Sequence, residues 1–376
     1  RFDFFERFPE RPPDMWPYWL MFLVPAYMAW QEVRQRPAGL ATSQGAPVPL
    51  GWALAGLALA LLVGWRHEVG GDWVSYLGHF NAVGYESHHA DWWWNDPGYR
   101  LLEWLAFQND WGMHGVNLMA AAVFSFGLLR FCRELPRPWL ALAVAVPYLV
   151  IILGMGYSRQ GVALGCLMAG LVGLGRGQLL TFVVWTVLGA TFHKSAVLLL
   201  PMAALAATRN RTWATVWVGL VVALAYSLLL EDSVDALRSG YLEAEYQSEG
   251  ALVRLLMNAL PAALLLWHYP RLAKTLPHAQ QRLWYWLAWA SMLLMALYLL
   301  SPSSTAVDRV GLYLLPLQLM VFAHLPEVLG HPRAANQGWV VAVLGYYATV
   351  QFVWLNFATH AFAWLPYRFY PLEVLF

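Results

Sequence analysis

Apolar residues along this chain come in long uncharged blocks separated by polar segments. A helix needs about 20 mainly apolar residues to span a bilayer. On that criterion about twelve stretches qualify, near 15–31, 47–65, 111–129, 138–157, 160–175, 178–192, 194–208, 212–230, 251–270, 283–300, 310–325 and 338–360. The pattern predicts an all-α polytopic integral membrane protein, one helical domain over residues 1–371. The stretches at 160–175, 178–192 and 194–208 are short, and helix tilt or local thinning of the bilayer accommodates them. Two connecting segments exceed a turn. Residues 66–110 combine glycine, tryptophan and histidine, and residues 231–250 carry Glu231, Asp232, Asp235, Glu243, Glu245 and Glu249. Connections of that length are usually functional or disordered, and the aromatic content of the first argues against disorder. Residues 372–376 read LEVLF, which looks like the remnant of a cleavable tag.

Basic residues orient the helices. The loops after the odd-numbered stretches hold twelve Lys and Arg, including Arg130, Arg133, Arg176 and Arg271. The alternate loops hold six: Arg66, Arg100, Arg159, Lys194, Arg238 and Arg309. The first side is therefore expected to be cytoplasmic. The second, which also carries the acidic loops, faces the periplasm or exterior.

Composition agrees with the pattern. Of 376 residues 60% are hydrophobic and 12% charged, about half the charged share of a soluble domain, and mean hydropathy is +0.48. The net charge of +1 gives no global field for nucleic acid. Cys132 and Cys166 supply neither a disulfide framework nor a metal cluster. The first apolar run is followed by more of the same, so no cleaved signal peptide is expected.

Charged residues at a membrane edge cost several kcal/mol and mark functional sites. Here they are Arg66, Asp72, Arg159, His193, Lys194, Arg254, Asp308 and Arg309. Even numbers of crossings separate Asp72, Arg159, His193 and Arg309, so all should meet at one face. Arg66, Arg159, Lys194 and Arg309 can cradle a diphosphate, or each can snorkel to a lipid phosphate. Asp72, behind Gly70 and Gly71, is either a general base or a helix cap, and Tyr76 shares its helical face. His193 can exchange a proton near neutral pH, and a structural histidine at a helix end is its other reading. Trp92, Trp93 and Trp94 form either a sugar-stacking wall or part of an interfacial aromatic belt. His88, His89 and Asp91 have a weak metal-ligand spacing, and no metal or other cofactor is expected.

Five short motifs, in order, resemble the EpsG family of exopolysaccharide polymerases, relatives of the Wzy polymerases of O-antigen and capsule. They are Gly70-Gly71-Asp72-Trp73 with Tyr76, Asp96-Pro97-Gly98-Tyr99, Arg159-Gln160 with Ala163, Phe192-His193-Lys194-Ser195-Ala196, and Arg309 with Tyr313. The second glycine stands where threonine is common in the family, and the tryptophan insert at 92–94 departs from its pattern. The resemblance implies a metal-independent glycosyltransferase of GT-C-like architecture in the bacterial inner membrane. It would join undecaprenyl-diphosphate-linked oligosaccharide repeats, donor to acceptor, at the periplasmic face. Asp72 is then the first-choice base and His193 the second, while Arg159, Arg309, Arg66 and Lys194 hold the diphosphate. Tyr76, Asp96, Gln160 and Tyr313 join the three tryptophans as substrate-binding candidates. A chain-length-regulating co-polymerase is a candidate partner beside the membrane lipids. An O-antigen-type ligase would use the same donor, and a flippase for lipid-linked oligosaccharide is the rival of another class. A transporter would place its site near the bilayer midplane, whereas these charges cluster at an edge.

Overall fold

The computed structural model describes residues 14–35, 48–83, 96–201, 250–300, 304–331 and 334–374, with isolated positions between 212 and 220. Twelve helices of eight or more residues are named here. They are α1 (Trp16–Gln35), α2 (Leu50–Gly64), α3 (Trp73–Ala82), α4 (Pro97–Gln108), α5 (Gly112–Arg133), α6 (Pro138–Gly154), α7 (Ser158–Gly175), α8 (Leu179–Phe192), α9 (Ala251–Trp267), α10 (His278–Leu300), α11 (Val307–Leu329) and α12 (Gln337–Phe357).

The twelve helices differ in their fitness to span a membrane. Among the described residues α5, α10, α11 and α12 are long and apolar enough to cross alone, and α9 with the bent segment Tyr269–Thr275 makes a fifth candidate. Helices α2 and α8 have 15 and 14 residues, roughly 22 Å against a hydrocarbon core of about 30 Å. Helices α3 and α4 are too short and lie inside the segment expected to be a loop. The stretch at 194–208 opens as a 3-10 turn, Lys194–Leu199. Most of its remainder, the stretch at 212–230 and the acidic segment 231–249 fall outside the described residues.

Helix α5 packs between α2 and α7, and α7 continues onto α8. The α5–α7 contact is as close as backbones allow, since a Cβ on Gly127 would lie 1.9 Å from the Gly165 carbonyl oxygen. On the other side α9 packs against α10 and α11, while α6 bridges α1 and α11. The last nine residues of α6, Val146–Gly154, are wound as a π-helix with Pro147 as its second residue. Proline has no N–H to give to the preceding turn, and the wider winding absorbs that loss. Trp364 covers this region, donating from Nε1 to the Ile151 carbonyl at 2.8 Å.

The glycine pair before Asp72 has a local cause. Gly70 has φ +111°, and a Cβ there would meet the Met155 carbonyl oxygen at 2.4 Å. The loop leaving α2 thus lies against the α6–α7 break, which sets α3 beside the start of α7. The starts of α3, α4, α7 and α11 and the end of α8 meet at one end of the bundle.

Candidate active site

Arg159 stands in the first turn of α7 at the centre of that end. Its Nη1 lies 3.4 Å from Asp96 Oδ2, and its Nη2 lies 3.9 Å from Glu103 Oε1. Nη2 also donates to His79 Nδ1 at 2.8 Å. An arginine nitrogen can only donate, so this bond leaves the His79 ring proton on Nε2. The guanidinium carbon lies 5.4 Å from the Tyr76 ring centroid and 4.9 Å from that of Tyr99. Two aromatic faces and two carboxylates therefore fix a planar cation, the kind of setting that lysine cannot reproduce.

Asp96 takes φ 50° and precedes Pro97, which opens α4. That turn directs the carboxylate to Arg159 and to the backbone N–H of Lys194, from which it accepts. Burial raises its pKa, and Arg159 and Lys194 oppose that rise. Asp72 occupies the position before α3, yet its side chain makes no capping hydrogen bond. Burial raises its pKa too, and the charges of Arg309 and Arg159, in that order, pull it down. A half-buried carboxylate with no capping bond and two arginines within electrostatic reach is suited to proton transfer.

Arg309 enters from the start of α11. Its guanidinium carbon lies 5.2 Å from the Tyr157 ring centroid, and its carbonyl accepts from Gln160 Nε2 at 2.9 Å. His193 closes the cluster in the loop after α8. Its Nδ1 accepts from the Ser195 backbone N–H at 3.4 Å and lies 3.0 Å from Ser195 Oγ. Ser195 Oγ also lies 3.1 Å from the Tyr313 hydroxyl. Engagement of Nδ1 as an acceptor leaves the proton on Nε2. Burial, reinforced by Arg309 and Arg159, lowers the His193 pKa to about 3.

Asp72, Arg159, His193 and Arg309, expected at one face, share one electrostatic neighbourhood. Lys194 joins through Asp96. Arg66 departs from expectation. It is 2% exposed and bonds the Val63 carbonyl at 2.6 Å, the Val69 carbonyl at 3.1 Å, Asn117 Oδ1 at 3.2 Å and Ser158 Oγ at 2.8 Å. A guanidinium spent on those acceptors is an internal clamp and not a diphosphate ligand. Gln160, Tyr76 and Tyr313 are also buried, so they stand behind the charged groups. Trp92, Trp93 and Trp94, with His88, His89 and Asp91, lie outside the described residues.

Two participants were missed in the sequence. Glu103 is fully buried one turn beyond Tyr99, and His79 follows Tyr76 by three positions. Spacings of three and four place each beside its tyrosine on one helical face. That was the signal available.

Comparison with curated proteins and with solved structures yields no match. A family model does match, over residues 50–369, and this span contains every element of the cluster. The chain belongs to the EpsG family.

Proposed function

We propose that this protein is a polysaccharide polymerase that joins lipid-diphosphate-linked oligosaccharide repeats in the bacterial inner membrane, at the periplasmic face. Membership of the EpsG family supports the reaction class, and the multi-pass apolar architecture supports the setting. The observation that carries the reading is Asp72, a carboxyl held between the opposing influences of burial and two arginines.

In the reaction, the terminal hydroxyl of one glycan attacks the anomeric carbon of another. The bond from that carbon to the lipid diphosphate breaks, and the hydroxyl proton passes to a base. Asp72 is that base. His193 keeps its proton on Nε2 and its Nδ1 engaged, so it serves as a hydrogen-bond donor to the reacting groups. Negative charge builds on the departing diphosphate, and Arg309, Arg159 and Lys194 stabilise it without a metal. The carboxylates around Arg159 preorganise its fork, so little ordering remains to be done when the diphosphate arrives.

The test uses purified protein in liposomes with a synthetic lipid-diphosphate repeat and chelator, products resolved by size. A ladder that collapses in Arg159→Ala and Asp72→Asn supports the polymerase. A single transfer to a foreign acceptor would make it a ligase, and lipid movement between leaflets without product would make it a transporter.

A further inference from the structure

A second feature lies at the opposite end of the bundle. Between α2 and α5 runs a groove of about 560 Å³, within the range of small-molecule sites. Ala53, Gly56 and Ala60 line it from α2, and their spacings of three and four put them on one face. Small side chains there leave the groove open. Phe126 forms part of the facing wall on α5.

The groove ends in charge. Arg130 and Arg133, in the last turn of α5, and Arg176, just after α7, all border it. Arg176 pairs with Glu134 at 2.5 Å, and among the described residues that line the groove three are cations and one is a carboxylate. Arg130 also sits over the Phe126 ring at 5.9 Å. Ser125 borders the same groove, is 3% exposed, and its hydroxyl has no hydrogen-bond partner among the described residues. Arginines at the end of α5 also complement the helix dipole. That alone does not explain an open apolar channel leading to them, nor an unpartnered hydroxyl along it.

Asn117, on the candidate active-site side of α5, precedes Arg130 by 13 residues, about 20 Å along the helix. A bilayer crossed by α5 would therefore put the groove mouth in its other leaflet. We propose that this groove binds one anionic glycerophospholipid of that leaflet. Its phosphate meets Arg130, Arg133 and Arg176, an acyl chain lies along Gly56 and Ala60, and an ester oxygen accepts from Ser125. Charge complementarity selects the anionic headgroup, while the apolar channel distinguishes a lipid from a free anion.

Native mass spectrometry of the intact protein, exchanged into phosphatidylglycerol or phosphatidylcholine, reads the occupancy. Wild type should retain one phosphatidylglycerol with roughly tenfold preference, and Arg130→Gln/Arg133→Gln should lose that preference. Ala53→Trp, which fills the groove and keeps the charges, should lose retention as well. Arg176→Gln stands in if the double variant does not fold, and Arg271→Gln, away from the groove, should behave as wild type. Equal retention of both lipids by wild type, or retention unchanged in Ala53→Trp, overturns the proposal. So does displacement by inorganic phosphate at matching concentration, or a second copy of the chain covering the groove.

Discussion

Arg254 and Asp308 meet through two parallel bonds, Nε to Oδ1 and Nη2 to Oδ2, each 2.6 Å. Asp308 immediately precedes Arg309, and Asn258 on the same helix as Arg254 donates to the Gly311 carbonyl at 2.7 Å. With Gln160 holding the Arg309 carbonyl, the backbone that carries this cation is fixed from both α9 and α7. Arg254→Ala leaves Asp308, 6% exposed, without its fork. Breaking a buried pair costs about 3 kcal/mol or more. The variant should melt earlier in detergent and elongate glycan more slowly, whereas Arg254→Gln/Asp308→Asn should recover most of the melting temperature. Equal melting of Arg254→Ala and wild type would remove the fork from the account.

Arg66 gives a contrasting expectation. Its four bonds tie the end of α2 to α5, α7 and the Val69 carbonyl. Arg66→Met strands those acceptors in the interior, at about 1–3 kcal/mol for each one left unsatisfied. Yield and thermal stability should fall, while the folded fraction keeps its KM for donor. A raised KM at unchanged stability would return Arg66 to the diphosphate site.

The gathering of Asp72, Arg159, His193 and Arg309 was legible because all four sit at the ends of apolar blocks, and block ends are coarse features of a sequence. Gly70 was legible too, since a paired glycine before an acid marks either a turn or a close approach, and φ +111° provides both. Arg66 was misread because its place at a membrane edge says nothing of whether the loop folds back over it. Only the contacts from Asn117 and Ser158, 51 and 92 positions away, decide that. The span count was legible only in part: apolar runs register composition, and among the described residues α5, α10, α11 and α12 have the length and hydropathy of a span, whereas α2 and α8 have 15 and 14 residues. Glu103 was passed over because a single acid in an amphipathic helix normally faces water, and here that face turns to Arg159.

Arg159→Lys tests geometry at constant charge. A lysine places one ammonium where the fork now reaches Asp96, Glu103 and His79 together, and it loses the planar cation that lies over the adjoining Tyr76 and Tyr99 rings. Elongation should fall about a hundredfold, as for loss of one transition-state donor, with binding of donor weakened far less. A Lys variant as active as wild type would show that charge alone suffices at this position.

The acid side of the pH profile tests the base. Asp72 works deprotonated, so the rate falls as pH drops through its pKa, which burial has raised above the usual carboxylate value. His193 titrates at about 3 and stays neutral across that limb. Arg309 exerts the larger of the two downward pulls on Asp72. Arg309→Met should therefore move the acid limb of the residual activity to higher pH, and Arg159→Met should move it less. His193→Ala also lowers the rate, but it leaves the limb in place because no charge near Asp72 is lost. Rate against pH for the three variants, each normalised to its own plateau, makes the comparison independent of how much activity remains. Arg309 and Arg159 lower the His193 pKa as well, so the arginine variants move either limb, and it is a limb that vanishes in His193→Ala that would transfer the base from Asp72 to His193.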